Sequence, residues 1–205
     1  ISTPASALLI DSLFNLRDVS VGVGGSLEFA RSYNAVRIRR LSVGYRGTLI
    51  LAPGDYWIDR MSVASEASIR TSSSGRVRLF IRDVSGFGWS SSLNPDGDGS
   101  NFLLVTDKAL SFDGNNLINT SVLSRARLSF GYNSHFTGAA SGEDVYLQSS
   151  SSAAFSGANE GLLDGLCRDE GPLIDSDGDG WADGIDSDDD NDGFPDLQEQ
   201  EYGSN

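Results

Sequence analysis

Two acidic segments near the C-terminus have the residue types and the spacing of calcium-binding loops. In both, oxygen-bearing residues stand at loop positions 1, 3, 5, 9 and 12 and glycine at position 6, and the second segment matches the pattern D-x-D-x-D-G-x5-E. Calcium takes about six to eight oxygen ligands, which such a loop supplies from its side chains and from the backbone carbonyl of position 7. The ligands predicted for Ca²⁺ are Asp175, Asp177, Asp179, Trp181, Asp183 and Asp186 in the first loop and Asp188, Asp190, Asp192, Phe194, Asp196 and Glu199 in the second.

A solvated acidic tail without metal is the alternative interpretation of these segments. A random acidic run would not repeat glycine at an interval of 13 residues with an aromatic residue after it each time, as Gly180 with Trp181 and Gly193 with Phe194 do. The same interval leaves no room for the helices of paired EF-hands. In the first loop Asp186 replaces the longer glutamate that closes the ligand shell, so bidentate closure is weaker there.

Residues 175–199, through the two loops just described, resemble thrombospondin type 3 repeats, which are calcium-wrapped arrays of extracellular proteins. The resemblance implies a segment folded around ions, although paired cysteines are missing and the array is short. Twelve acidic residues lie between Asp175 and Glu201 and repel one another without a cation. Extracellular calcium modules bind at roughly 10⁻⁴–10⁻³ M, so millimolar calcium would order the segment, which predicts a secreted protein.

The charge of the chain is divided unevenly between two parts. The 205 residues carry a net charge of −14, but residues 1–163 hold 14 acidic and 14 basic residues, whereas residues 164–205 hold 15 acidic residues and one arginine. This balance argues against nucleic acid as a partner, because phosphate recognition needs clustered Lys and Arg. No apolar run approaches the roughly 20 residues of a membrane span. The first residue is Ile1 rather than Met, which suggests a processed or excised product.

The neutral body repeats a nine-residue block, in which an apolar-Ser-apolar triplet is followed by small or polar residues and by an apolar ninth residue. Residues 41–43 (Leu-Ser-Val) lead to Leu49, and residues 128–130 (Leu-Ser-Phe) lead to Phe136. The alternation indicates strands with one buried face, and a step of about 20 residues suits one turn of a coil. We therefore predict an all-β fold, a parallel β-solenoid of about seven rungs, with an antiparallel β-sandwich as the alternative. The blocks start at residues 19, 41, 61, 85, 110, 128 and 147.

Four segments follow from these patterns: an N-terminal cap or docking segment (1–18), the β-solenoid (19–158), a linker (159–174) and the calcium-binding repeats with little secondary structure (175–205). The open ends of a solenoid present unpaired backbone groups, which the apolar N-terminal segment would cover or use to pair with a neighbouring subunit. The single cysteine, Cys167, cannot form an internal disulfide, and it is either an inert thiol or a link to another chain.

Residues 51–57, residues 77–81 and the Leu-Ser-Phe blocks are similar to the β-helical repeats of MSHA-pilus-type (MshQ-like) bacterial surface proteins. This resemblance covers residues 41–157. It implies a secreted surface or appendage protein of a Gram-negative bacterium, with a structural or adhesive role.

These features favour a calcium-stabilised structural protein of a bacterial surface appendage, without enzymatic activity, that assembles end to end into an extracellular filament. Fourteen of the 15 basic residues are arginine, and several alternate along strands. They would meet the acidic tail of a neighbouring subunit, since arginine favours bidentate contacts with carboxylates, or they would simply face solvent. The alternating arginines are Arg37, Arg39, Arg76, Arg78, Arg125 and Arg127.

Two other hypotheses remain open at this point. A carbohydrate-binding adhesin would use Trp57, Trp89 and Tyr132 as stacking platforms for a surface glycan, unless these residues are core or corner aromatics. A β-helical polysaccharide lyase or hydrolase would need carboxylates on adjacent rungs, and Asp59, Asp83 and Asp107 recur at intervals of 24 residues. The only histidine, His135, and the serine-rich corners show no nucleophile motif.

Residues 94–99 (Asn-Pro-Asp-Gly-Asp-Gly) have the composition of half a calcium loop. Position 12 of such a loop would be Val105, which has no side-chain oxygen. An ordinary turn between rungs and a partial metal site are both compatible with this pattern.

Overall fold

The computed structural model describes residues 14–30, 33–155, 162, 176–177 and 190–191. Over these residues the chain forms short β-strands and one turn of 3₁₀-helix (Gly99–Asn101), and none of these elements is a helix able to cross a membrane. The strands are β1 (Phe14–Val21), β2 (Ser26–Glu28), β3 (Tyr33–Val43), β4 (Thr48–Leu51), β5 (Gly54–Val63), β6 (Ser68–Thr71), β7 (Val77–Phe87), β8 (Ser92–Leu93), β9 (Phe102–Thr106), β10 (Leu110–Phe112), β11 (Leu117–Asn119), β12 (Ser121–Ser124), β13 (Leu128–Phe130), β14 (His135–Gly138), β15 (Ala140–Ser141), β16 (Val145–Leu147) and β17 (Ser152–Phe155).

Every pairing between these strands is parallel and joins one turn of the chain to the next. The first sheet follows the order β1-β3-β5-β7-β10-β13-β16, with β9, β12 and β15 continuing beside β7. The second sheet follows the order β2-β4-β6-β8-β11-β14-β17. The chain thus visits the two sheets alternately, as a coil does. The predicted parallel β-solenoid of about seven turns is confirmed, and the antiparallel sandwich is wrong.

The predicted nine-residue blocks mark the rungs of the solenoid, and the first-sheet strand of the fourth rung, β7, contains a local irregularity. Met61 pairs with Val84, whereas Val63 pairs with Phe87, so β7 carries one extra residue at this point. Such a β-bulge bends a strand without ending it. Gly86 lies within the bulge and has φ of 95°, a conformation that favours glycine.

The seventh block is displaced by two residues from its predicted position. The last rung begins at Val145, which pairs with Leu128, and not at Leu147. Ala153, and not Phe155, accordingly occupies the ninth position of this block. Side chains alternate with a period of two along a strand, so a displacement of two residues preserves the inward face. The hydrophobic pattern alone therefore did not distinguish the two registers.

Inward-facing side chains form ladders that fill the coil, and the C-terminal half is built on phenylalanine. Phe87, Phe112 and Phe130 belong to successive rungs, and their rings stack with centroid distances of 4.7 and 5.4 Å. Phe136 of the second sheet packs against Phe130, with 4.6 Å between the ring centroids. Each buried aromatic pair contributes about 0.5–1.5 kcal/mol beyond the area that it buries. We therefore expect this stack to hold the last rungs together.

Seven four-residue turns, which we call the corner turns, connect the first sheet to the second in every rung. The third residue of each turn has φ between 53° and 63°, as in type II turns. Backbone hydrogen bonds link each turn to the same turn of the next rung, for example from Ser90 N to Gly114 O at 2.7 Å. The chain therefore changes direction at the same place in every rung. The corner turns are residues 22–25, 44–47, 64–67, 88–91, 113–116, 131–134 and 148–151.

The corner turns predict a specific stability difference at Asn115, whose φ is 53°. Asparagine and glycine tolerate this left-handed conformation, whereas a β-branched residue does not. Asn115→Val is expected to lower the free energy of unfolding by about 1–2 kcal/mol relative to Asn115→Gly, measured by urea unfolding. Equal stability of the two variants would contradict the assigned turn conformation.

A second, smaller apolar cluster lies on the outer side of the first sheet. Phe80 alternates with inward-facing residues of β7 and therefore faces outwards. It packs with Leu103, Val105 and Leu162, and Leu162 is buried. Leu162 belongs to the predicted linker (159–174), so at this residue the linker packs on the solenoid.

The first strand begins earlier than expected. Strand β1 starts at Phe14, so residues 14–18 are part of the solenoid and not of the predicted cap (1–18). The last described strand ends at Phe155, close to the predicted boundary at residue 158. Cys167 lies outside the described residues.

Candidate functional site

The predicted calcium loops fall mostly outside the described residues. Asp177 and Asp190 are described, and each stands at position 3 of its loop. The side-chain amide of Asn191 donates a hydrogen bond to Oδ2 of Asp177, so the two loops are in contact at this point. Over the described part of the chain, no three acidic, histidine or cysteine side chains are grouped as a metal site requires. The predicted ligands outside the described residues are Asp175, Asp179, Trp181, Asp183, Asp186, Asp188, Asp192, Phe194, Asp196 and Glu199.

The segment 94–99 is a turn held by contacts within the fold. Asn94 is buried, and its side-chain amide donates to the backbone carbonyls of Asp98 and Asn119. The Asp98 carboxylate accepts a hydrogen bond from the backbone amide of Ser100, which holds the pKa of Asp98 below its usual value. These contacts are those of a turn between rungs, the first of the two interpretations of this segment.

The three aspartates of the enzyme hypothesis, Asp59, Asp83 and Asp107, are not at paired positions on adjacent rungs. Asp83 pairs with Arg60, so Asp59 is level with Arg82. A constant interval of 24 residues fails because paired residues differ by 23 between β5 and β7 at this point and by 25 between β7 and β9. The register therefore does not place any two of these carboxylates side by side on adjacent rungs, as the hypothesis expected.

Two of the alternating arginines pair with carboxylates of the same chain. Arg78 Nε donates to Oδ1 of Asp55 at 2.8 Å, and Nη2 donates to Oδ2, in a site where each residue is 9 % exposed. Arg127 Nη2 contacts Oδ2 of Asp144 at 3.4 Å on the surface. The expected contact with the tail of a neighbouring subunit is therefore wrong for Arg78, which is buried against the neighbouring rung.

Three exposed aromatic side chains lie in one line along the corner of the solenoid, and we call them the aromatic row. Tyr45, Trp89 and Tyr132 occupy the second position of the corner turns in the second, fourth and sixth rungs. They are 39 %, 49 % and 49 % exposed. The second positions of the two intervening turns carry the small residues Ser65 and Gly114, and that of the turn after Tyr132 carries Ser149.

Two rings of the aromatic row are held over the following turn. The Tyr45 hydroxyl donates to Oε1 of Glu66 at 2.8 Å, and Arg46 Nε donates to Oε2 at 2.7 Å. The bond from Arg46, followed by that from Tyr45, lowers the pKa of Glu66, and the bond to Glu66 raises the pKa of Tyr45. Trp89 lies against Gly114, where a Cβ atom would come within 2.7 Å of the indole ring. Both rings therefore have fixed positions on the surface.

Trp57, the third aromatic residue of the adhesin hypothesis, lies elsewhere. It belongs to β5, and its ring stacks on Phe80 with a centroid distance of 5.1 Å. Sequence reasoning missed Tyr45, although a signal was present. An apolar-Gly-aromatic triplet ends in Tyr45, in Trp89 and in Tyr132, and nowhere else in the chain.

The last described rung leaves apolar side chains exposed at one end of the solenoid. Leu147 is 37 % and Phe155 is 65 % exposed, whereas Phe130, which pairs with Leu147 in the preceding rung, is 1 % exposed. Among the described strands, β16 pairs only with β13 and β17 only with β14. Within the described residues, this end therefore combines an apolar surface with two strand edges that pair on one side only, and an edge of this kind favours pairing with another chain.

The comparisons with known proteins identify no relative of the chain. No protein-family model, no curated protein and no solved structure matches it. The function must therefore be inferred from the geometry and chemistry of the chain itself.

Proposed function

We propose that the protein is a secreted, calcium-stabilised structural protein of a bacterial surface appendage, and that it assembles end to end into an extracellular filament. The observation that carries this proposal is the apolar end of the solenoid, where β16 and β17 each pair on one side only among the described strands. Monomeric proteins usually cover such strand edges or keep them short and charged. The proposal assigns no catalytic role to the chain.

A second copy of the chain is the partner that this end fits best. Leu147 ends the apolar ladder that begins at Val21 in the first sheet, and Ala153 ends the ladder that begins at Leu27 in the second. A first rung stacked on a last rung would continue both ladders and supply backbone partners to both edges. The two surfaces differ, so the contact is head-to-tail and leads to an open filament.

The acidic tail supports the calcium and secretion parts of the proposal. Its two D-x-D-x-D-G loops place twelve acidic residues within residues 175–201, and bound calcium would neutralise their repulsion. A site gains about 1.4 kcal/mol at a tenfold excess of calcium over its dissociation constant. Millimolar calcium is found outside cells, and the resemblance to MSHA-pilus-type proteins supports a bacterial surface location.

Leu147→Lys tests the end-to-end contact. Stacking would bury the ammonium group without a partner, so self-association in millimolar calcium is expected to weaken by about tenfold or more, measured by sedimentation velocity. Leu117→Lys is the matched control, because Leu117 is 40 % exposed but lies in β11, away from both ends. A monomeric unmodified chain at all concentrations, or equal loss in both variants, would contradict the proposal.

A further inference from the structure

We propose that the aromatic row of Tyr45, Trp89 and Tyr132 binds an extended polysaccharide that runs along the corner of the solenoid. The row lies on the side of the rod and not at its ends, so this inference does not rest on filament formation. It adds a binding function to a structural one.

The spacing of the row suits an extended chain of sugars. Successive rungs are about 4.8 Å apart, so aromatic rings on every second rung repeat at about 9.6 Å. In an extended β-linked polysaccharide, every second sugar presents the same face at a comparable interval. The C–H groups on that face pack against an aromatic ring, as other apolar surfaces do.

The intervals between the rings make the row a narrow platform. Ser65 and Gly114 stand between the three aromatic residues, and the Trp89 ring lies over Gly114. A globular protein partner would require a wide, continuous apolar patch, whereas a single file of separated rings fits a single extended chain. The geometry therefore favours a polysaccharide over a protein surface.

A line of polar side chains runs beside the aromatic row, at the third position of the corner turns. These side chains can exchange hydrogen bonds with sugar hydroxyls, which project from the edges of each sugar ring. One pair is already aligned along the rod, because Asn133 Nδ2 donates to Oδ1 of Asn115 at 2.9 Å on the exposed surface. The polar residues at this position are Arg46, Glu66, Ser90, Asn115, Asn133 and Ser150.

Two of the three rings are also held in place before any ligand binds. Tyr45 is fixed by its hydrogen bond to Glu66, and Trp89 rests on Gly114. A surface that is already ordered loses less conformational entropy on binding. Rings that are 39–49 % exposed contribute less to the core than buried rings do, and they remain accessible to a ligand.

Affinity electrophoresis with soluble polysaccharides tests this inference. The probes are mixed-linkage β-glucan, xylan, glucomannan and a soluble chitin derivative, each cast into a native gel. The unmodified protein is expected to be retarded by at least one of them. Trp89→Ala and Tyr132→Ala are each expected to weaken that binding by about tenfold or more, as central aromatic contacts do.

Leu117→Ala is the matched control, because Leu117 is an exposed apolar residue in β11, outside the row and away from both ends of the solenoid. It is expected to keep the affinity of the unmodified protein, and Tyr132→Phe, which retains the ring, is expected to recover most of it. Thermal unfolding identifies a variant that fails to fold, and Tyr132→Ala decides the question if Trp89→Ala is destabilised. No retardation by any probe, or equal loss of binding in Leu117→Ala, would overturn the inference.

Discussion

Replacing Phe112 by alanine is expected to lower the free energy of unfolding by about 3–5 kcal/mol, measured by urea unfolding followed by circular dichroism. The Phe112 ring is 1 % exposed and stacks on Phe87 on one side and on Phe130 on the other. Its removal leaves a cavity in the middle of the ladder, and strands on both sides prevent the neighbouring rungs from closing it.

Phe155→Ala provides the control for this prediction. Phe155 belongs to the same set of aromatic contacts, with its ring 5.9 Å from that of Phe136, but it is 65 % exposed at the end of the solenoid. We expect it to cost about 1 kcal/mol or less, because exposed residues contribute little burial. Similar losses in the two variants would show that Phe112 is not enclosed by the neighbouring rungs.

Asp55→Ala is expected to be as damaging as the loss of Phe112, with a cost of about 3–5 kcal/mol. The reason is electrostatic, since the variant removes the carboxylate that accepts two hydrogen bonds from the buried Arg78 guanidinium. A buried charge that loses its counter-ion keeps the cost of its desolvation. Chemical unfolding at neutral pH measures the effect.

Asp144→Ala is the matched control, because it removes the partner of Arg127 at a site where both side chains are more than 60 % exposed. Exposed ion pairs contribute about 0–1 kcal/mol, since water solvates either partner alone. Both variants remove one negative charge from an ion pair with arginine. The difference between their free energies of unfolding therefore measures the effect of burying the ion pair. If both aspartates could be replaced at equal cost, Arg78 would have to be accessible to solvent.

The sequence predicts the solenoid well because the inward residues repeat in each rung. The apolar-Ser-apolar triplets fall in the first sheet, and the apolar ninth residues fall in the second, as Leu49 and Phe136 do. The predicted start of the last rung is wrong, because the rung begins at Val145 and a displacement of two residues keeps the same hydrophobic face. The start of β1 at Phe14 was also not predicted, since the first strand of the coil has no preceding rung whose pattern could be compared with it.

The candidate site depends on contacts between rungs, which sequence patterns do not display. Asp55 and Arg78 are 23 residues apart, and only the strand register shows that they meet. The number of residues per rung varies. Equal intervals along the sequence therefore predicted that Asp59 and Asp83 would pair, whereas Asp83 pairs with Arg60. Tyr45 was missed because no aromatic residue stands at the same position of the adjacent rungs, although the apolar-Gly-aromatic triplet marks all three members of the aromatic row.

The calcium loops depend on local spacing alone and were therefore accessible from the sequence. Alternate acidic residues followed by glycine specify such a loop without any contact to the rest of the chain. Asp177 and Asp190 are the predicted ligands within the described residues, and the contact between Asn191 and Asp177 joins their loops. Calcium binding by these loops stays a prediction.

Negative-stain electron microscopy of the unmodified chain, in millimolar calcium and then in excess chelator, tests the central claim most directly. We expect filaments of solenoids stacked end to end in calcium, and their shortening or loss in chelator as the acidic tails regain their mutual repulsion. Single particles in both conditions, even at high protein concentration, would contradict a filament-forming, calcium-stabilised rod.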